Sequence, residues 1–239
     1  MKFVINAPHY NHRSSGIRVL YLLHDMLVKA EHRCRVVLKH EPGKCTQDEI
    51  AIYPEIITGN PLNATKVIRW CLNQPGVLGG ETKYDFSELV FYYVDWIKDA
   101  AEKAAGKSCQ RFCLISFEQD LFFDSKCNKS GALLYVGKGE LKLPLPEKVF
   151  EIKMDFSPDR KTFAELLQRS KTFYCCDDHT AASLEASACG CTILQQTNVD
   201  WVPAKIDLEA YRAKYLYPNH NKDQLADFLQ TVEKVYGRC

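Results

Sequence analysis

The sequence predicts an α/β fold built from two small doubly wound domains that face one another across a cleft. Three observations predict it. Apolar strand-like runs alternate with amphipathic helix-like runs through both halves of the chain. Residues 3–39 read as strand, glycine-bearing loop, helix and strand, which is a βαβ unit. The segment Phe173–Leu194, FYCCDDHTAASLEASACGCTIL, reads as strand, acidic loop, threonine-started helix, glycine break and second strand. That order brings backbone N–H groups and a carboxylate to the carboxyl end of a parallel sheet, where α/β proteins hold phosphate and ribose.

Composition sets the outer limits. A chain of 239 residues suits one large domain or two small ones, and 46% hydrophobic content is enough for a core. With 31 basic against 30 acidic residues there is no basic footprint, so nucleic acid is excluded as the expected partner. The eleven cysteines are odd in number and lack paired C-x-x-C spacing. They read as buried, reduced thiols, neither a disulfide framework nor a zinc site. The opening MKFVINAP reads as a strand and no targeting sequence is seen. No apolar run approaches the ~20 residues that span a bilayer. The expected location is cytoplasmic, with peripheral contact at the cytoplasmic face of a membrane left open.

Taken in order, Phe3–Ala7 is an apolar strand, Pro8–Gly16 a polar loop and Ile17–Ala30 a helix, with Leu20, Leu23 and Leu27 at helical spacing and Leu22 beside them. Arg35–Lys39 and Ile50–Pro54 read as strands. GNPLNAT, residues 59–65, is a turn with an asparagine or threonine cap, so Ala64–Asn73 is expected to be a short helix. Pro75-Gly76 and Gly79-Gly80 mark a turn over Gln74–Gly80. Leu89–Val94 is a strand, and Trp96–Ala105 a helix ended by Gly106. In the second half, Phe112–Phe117, Ala132–Val136 and Val149–Ile152 read as strands and Phe163–Ser170 as a helix. Asp223–Tyr236 closes as a helix with Leu225, Phe228, Leu229 and Val232 on one face. The boundary is placed within Lys103–Gln110, giving domains of residues 1–107 and 108–239.

The chemistry is expected at Phe173–Leu194. A helix N-terminus offers unsatisfied N–H donors and a partial positive charge, so an anion is favoured at Thr180–Ala182, where Ala181, Ala182 and Ser183 are small. Glu185, five residues beyond Thr180, can accept two hydrogen bonds from a ribose diol, or it is a solvated face residue behind a simple threonine cap. Asp177 and Asp178 are adjacent and point to opposite sides of a strand end, which fits turn and capping roles better than metal ligation. Glu55 ends a strand, where it is a candidate general base or a salt-bridge partner of Arg69. His9, His12 and Arg13 lie on the first loop. Asn60 and Asn63 shape a turn, Trp70, Trp96 and Trp201 read as packing residues, and Phe91-Tyr92-Tyr93 as a buried strand.

The same segment resembles the nucleotide-sugar-binding stretch of GT-B fold glycosyltransferases, in which two Rossmann-like domains face across a cleft. NHRSSGIRVLYLLHDML is similar to the first loop and helix of such enzymes, ALLYVGKGE to the strand that opens their donor domain. YPEIITGNPLNATKVIRWCLNQPGVLGG resembles a stretch of the retaining bacterial enzymes that build capsule, O-antigen and lipopolysaccharide. The resemblance implies a metal-independent transferase that needs no cofactor, moving a sugar from a nucleotide-sugar donor to a glycan or lipid-linked acceptor. It implies that Glu185 binds the donor ribose, that Thr180 and Ala181 hold the diphosphate through N–H groups beside Asp178, and that Gly16 lets the first loop approach the same phosphates. Lys138, with Lys142, neutralises the leaving diphosphate. Where the family carries an arginine and a lysine five residues apart, this chain has two lysines four apart. Catalytic roles then fall to Glu55 and Lys138, and domain closure assembles the site. Contact with other glycan-synthesis enzymes is an open partner reading. Two alternatives remain: a nucleotide-sugar epimerase of the same fold, and a non-catalytic nucleotide-sugar-binding partner subunit, which the short chain favours.

Overall fold

A computed structural model describes residues 1–152, 159–178, 180–204 and 206–237. Its first sheet rests on period-two burial. In β1 (Lys2–Ala7), Phe3, Ile5 and Ala7 enter one core cluster while Val4 enters another on the opposite face. Strands β2 (Arg33–Leu38), β3 (Glu49–Pro54), β4 (Lys66–Cys71), β5 (Leu89–Tyr92) and β6 (Gln110–Arg111) complete a six-stranded parallel sheet in the order β2-β1-β3-β4-β5-β6. Helix α1 (Ser15–Lys29) buries Val19, Leu20, Leu23 and Leu27, and the Ser14 hydroxyl caps it by accepting the Ile17 N–H. On the other face, α2 (Lys98–Ala105) follows a single 3-10 turn and packs Ala101, Ala104 and Ala105 under β5, ending at Gly106.

The second sheet has five strands. Strands β7 (Ala132–Tyr135), β8 (Val149–Glu151), β9 (Thr172–Cys175), β10 (Thr192–Gln196) and β11 (Trp201–Pro203) lie in the order β11-β10-β9-β7-β8, with β11 antiparallel and the others parallel. Helices α3 (Arg160–Arg169) and α4 (Ala181–Ala188) pack on one face through Ala164, Leu167, Ala182 and Ala186, with Leu208 of α5 (Leu208–Tyr215) at the margin. Among the described residues the opposite face carries no helix. There Trp201 sets its ring edge-on to Tyr174 at 4.9 Å and donates to the Pro144 carbonyl, beside Leu134 and Leu145.

The chain then returns to the first sheet. Helix α6 (His220–Tyr236) buries Leu225, Phe228 and Val232 against Phe3, Phe91 and Phe112, with Phe228 and Phe112 stacked at 4.4 Å. The compact units are accordingly Met1–Ser116 with Pro218–Cys239, and Phe117–Tyr217. These differ from the expected 1–107 and 108–239, because residues 110–116 finish the first sheet and α6 fills its core.

Two local expectations are corrected, and two elements are added. Ala64–Asn73 is not a helix: Lys66–Cys71 is a central strand, and the polar residue within it, Arg69, is fully buried. Its guanidinium donates to both oxygens of Glu88 and to the carbonyls of Ile57 and Gly59, and lies between the rings of Tyr53 and Tyr84. Phe112–Phe117 is not a ladder strand, since β5 offers no partner beyond Tyr92. Side chains of α6 replace one: the Asn221 amide bonds both the N–H and the carbonyl of Ile115, and Gln224 accepts the Cys113 N–H. Strand β11 and helix α5 were not anticipated, and α5 buries no residue that would give it a periodic signal. Cys239 falls outside the described residues.

Candidate functional site

Both sheets reverse their strand order, the first between β1 and β3 and the second between β7 and β9. In open α/β sheets, the crevice at the carboxyl ends of two such strands is where ligands bind. In the second unit the described residues of the two loops at that point are 136–139 after β7 and 176–178 with Thr180 after β9. They are pressed together. The Lys138 N–H donates to Asp177 Oδ2 at 3.1 Å, and the turn is closed by Gly139 N–H donating to the Val136 carbonyl. Gly137 has φ of +59°, and a Cβ there would lie 2.7 Å from Asp177 Oδ2. A Cβ on Gly139 would sit 1.9 Å from the Cys176 carbonyl oxygen, so only glycine admits this approach.

The α4 N-terminus opens into the same loops. Thr180 is in extended conformation and its hydroxyl accepts the Ala182 N–H at 3.2 Å, so it is a true N-cap, and Ala181 is the first helical residue. The Thr180 hydroxyl also bonds Tyr135, whose pKa burial raises. Ser183 donates to Cys175, one turn into the helix.

Glu185 follows in the second turn of α4 and is only 3% exposed. Its Oε1 accepts a hydrogen bond of 2.7 Å from Arg160 Nη2, the first residue of α3. Arg160 Nε donates to Glu118 at 2.6 Å, and its guanidinium lies 4.4 Å from the Phe122 ring centroid. Burial works against the Arg160 charge, but the Glu185 and Glu118 carboxylates outweigh it and raise its pKa. Of the two readings of Glu185, the solvated face residue is thus ruled out by its burial. Glu185 is an internal carboxylate with a cation beside it.

The remaining expected residues are dispersed. Of the aspartate pair, Asp178 was expected to serve the donor, yet it is exposed and accepts from Gln195 Nε2 at 2.8 Å. Asp177 is the one turned inward, at 7% exposure. Strand alternation carries this signal, because Asp177 continues the Phe173 and Cys175 side of β9, the side that packs on α4. Lys138 and Lys142 are held by their backbones, the second through Gln196 Oε1, and both side chains are exposed. Arg160 was missed altogether. His179, within the same loop, lies outside the described residues.

In the first unit, Gly16 is not a loop glycine. It is the second residue of α1, and a Cβ there would meet Leu72 at an ordinary 3.7 Å. Glu55 directly follows β3 at the switch point but is buried, and its Oε2 accepts the Leu72 N–H at 2.9 Å. Arg69 pairs with Glu88, so the Glu55–Arg69 salt bridge is not formed. The loop bearing His9, His12 and Arg13 leaves β1 beside it, and there the His12 carbonyl accepts from Arg18. Asn60 does shape its turn, bonding Tyr53 and both backbone groups of Ala64. Trp70 is core, and Trp96 is partly exposed.

No protein-family model and no curated protein sequence matches this chain. What the residues can do follows from their own chemistry. The ten described cysteines are free thiols, and burial pushes Cys175 and Cys191 up to about 11 and Cys189 up to about 12, so they stay protonated and unreactive at neutral pH. Among the described residues no three His, Cys, Asp or Glu side chains converge as a metal-binding group. No described helix is long and apolar enough to cross a membrane. The open hollows of the first unit, one of about 370 Å³ bordered by Gln47, Asp48, Thr65 and Lys66, lie toward the amino ends of its strands, at the opposite end from its His9–Arg13 loop. The strand-end loops and α4 of the second unit combine backbone donors at a helix start, a close glycine turn bearing an exposed ammonium, and two inward carboxylates. That set suits a polar ligand carrying both anionic and hydroxyl groups.

Proposed function

We propose that the chain is a GT-B-type glycosyltransferase of bacterial surface-polysaccharide synthesis, retaining in stereochemistry, that moves a sugar from a nucleotide-sugar to a glycan or lipid-linked acceptor. One observation carries the reading: the switch-point crevice of the second sheet gathers the glycine turn 137–139, Asp177, the Thr180-capped start of α4 and Glu185. The diphosphate lies at the α4 start, where the helix dipole and first-turn N–H groups offset its charge. The Lys138 ammonium, free to move on the adjoining turn, takes up the charge that develops on the leaving phosphate. Glu185 accepts the ribose hydroxyls. The acceptor is assigned to the carboxyl edge of the first sheet, among the His9–Arg13 loop and the Glu55 corner.

A second reading, a nucleotide-sugar-binding subunit without catalysis, is supported by specific geometry. Among the described residues neither Lys138 nor Lys142 has an ion-pair partner, and Glu55 is buried and already holds the Leu72 N–H. The experiment separates the two. Thermal unfolding is followed against a panel of nucleotides and nucleotide-sugars, where a ligand at a hundred times its Kd adds about 2.7 kcal/mol. Donor hydrolysis and transfer are then assayed with whichever ligand stabilises. Glu185→Ala, with Glu185→Gln as the variant that keeps the volume, is expected to abolish transfer and the ligand-induced shift while leaving a cooperative unfolding transition. Binding without hydrolysis or transfer selects the subunit. Stabilisation by none of the panel, or unchanged turnover in both variants, removes the donor site.

A further inference from the structure

We propose that Arg160 is the positioning residue of this crevice, holding the Glu185 carboxylate in one orientation with Glu118 as its anchor. The inference rests on the donor-site reading and concerns how the ribose-binding carboxylate is kept ready. A carboxylate at 3% exposure, on a helix whose buried neighbours are Ala182, Ala186 and Ala188, has lost nearly all its water. Such a group neutralises itself unless a cation and hydrogen bonds replace the water. Arg160 supplies both. Its planar fork is fixed from two separate stretches of chain: Glu118 on Nε with the face of Phe122 one turn later, and Glu185 on Nη2. The Glu118 side chain is 44% exposed, so it anchors the arginine without adding a second deeply buried charge.

The other groups facing Glu185 do not replace that cation. Tyr135 on β7 and Cys189 at the end of α4 both sense its charge, and burial keeps both protonated at neutral pH. Asp177, on the loop before α4, acts on the same Tyr135 and adds negative charge. Lys129 approaches from the far end of α4, where it bonds the Cys189 carbonyl. Removing Arg160 therefore takes away the cation beside the ionised carboxylate, and a ligand that needs that form is held less well as the pH falls.

The test measures binding of UDP, ADP and GDP by the wild type, Arg160→Met and Arg160→Lys from pH 5 to 8, with the melting temperature of each. In parallel, the Glu185 carboxyl is titrated by ¹³C NMR, with Glu185→Gln supplying the assignment. Arg160→Met is expected to weaken binding about tenfold to a hundredfold at pH 7 and to move the acid limb of the binding profile and the Glu185 titration upward together. Arg160→Lys keeps the charge but loses the fork, so its acid limb stays in place while its affinity falls severalfold. A lowered melting temperature with an unmoved Glu185 titration makes the arginine merely structural and overturns the proposal. Wild-type affinity in Arg160→Lys also overturns it, and this variant serves if Arg160→Met does not fold. A moved titration with no nucleotide bound by the wild type overturns the donor-site reading instead.

Discussion

Asp124 has a carboxyl held down at about 2, first by the Lys126 ammonium and backbone N–H and then by Lys129. The group matters because Lys129 also bonds the carbonyls of Gln168 and Cys189, the C-terminal ends of α3 and α4. Cations at helix ends are stabilising, and Asp124 keeps this one in place. A carboxyl whose pKa is depressed on folding adds stability above its unfolded value of about 3.9 and loses it as the pH falls through the folded one. Asp124→Asn should therefore lower the melting temperature at pH 7, and the gap to the wild type should close between about pH 4 and pH 2. A gap that does not change with pH would show that the ion pairs are not its source. Residue-scale chemistry was only partly legible. The Thr180 cap and the small residues after it could be read directly, because capping is a local rule. The partners of Glu185 could not, since Arg160 lies 25 residues away in sequence. One signal was present: Arg160 shares the i, i+4, i+7 stripe of Ala164 and Leu167, so a charge stood on a buried face.

At the scale of elements, β4 shows how a buried ion pair disguises a strand. Val67, Arg69 and Cys71 alternate with Ile68 and Trp70, and both sets are buried. An arginine amid apolar residues reads as the polar face of a helix until its partner, 19 residues on, is known. Because Arg69 has no exposure, removing Glu88 strands a charge in the core, which typically costs about 3–5 kcal/mol. Glu88→Ala should show that loss in urea unfolding, whereas Arg69→Met with Glu88→Leu should recover much of it. A loss below about 1 kcal/mol for Glu88→Ala would mean that water reaches the guanidinium. Elements that obey one local period, such as β1, α1 and the β9–α4–β10 run, were legible in the sequence. Those whose backbone is satisfied from elsewhere were not. Residues 112–116 are held by amide side chains of α6 more than 100 positions later, and no local pattern reports that.

For the whole molecule, the core of the first unit depends on its last helix. Phe228 touches Phe3, Phe91 and Phe112, and Leu225 and Val232 of the same helix join that cluster. Phe228→Ala should cost about 3–5 kcal/mol. If the units unfold separately, calorimetry should show the loss in one transition and leave the transition of Phe117–Tyr217 where it was; equal shifts of both would mean that they unfold as one. The division also reveals an ordering in time. The second unit is an insertion within the first, so as the chain leaves the ribosome Phe117–Tyr217 is complete before α6 has been made. The six-stranded sheet waits with Phe3, Phe91 and Phe112 uncovered for about a hundred codons, at ~5–20 residues per second. The older half of the nascent chain is thus the later to mature, and during that interval it is the half most exposed to chaperones and to aggregation.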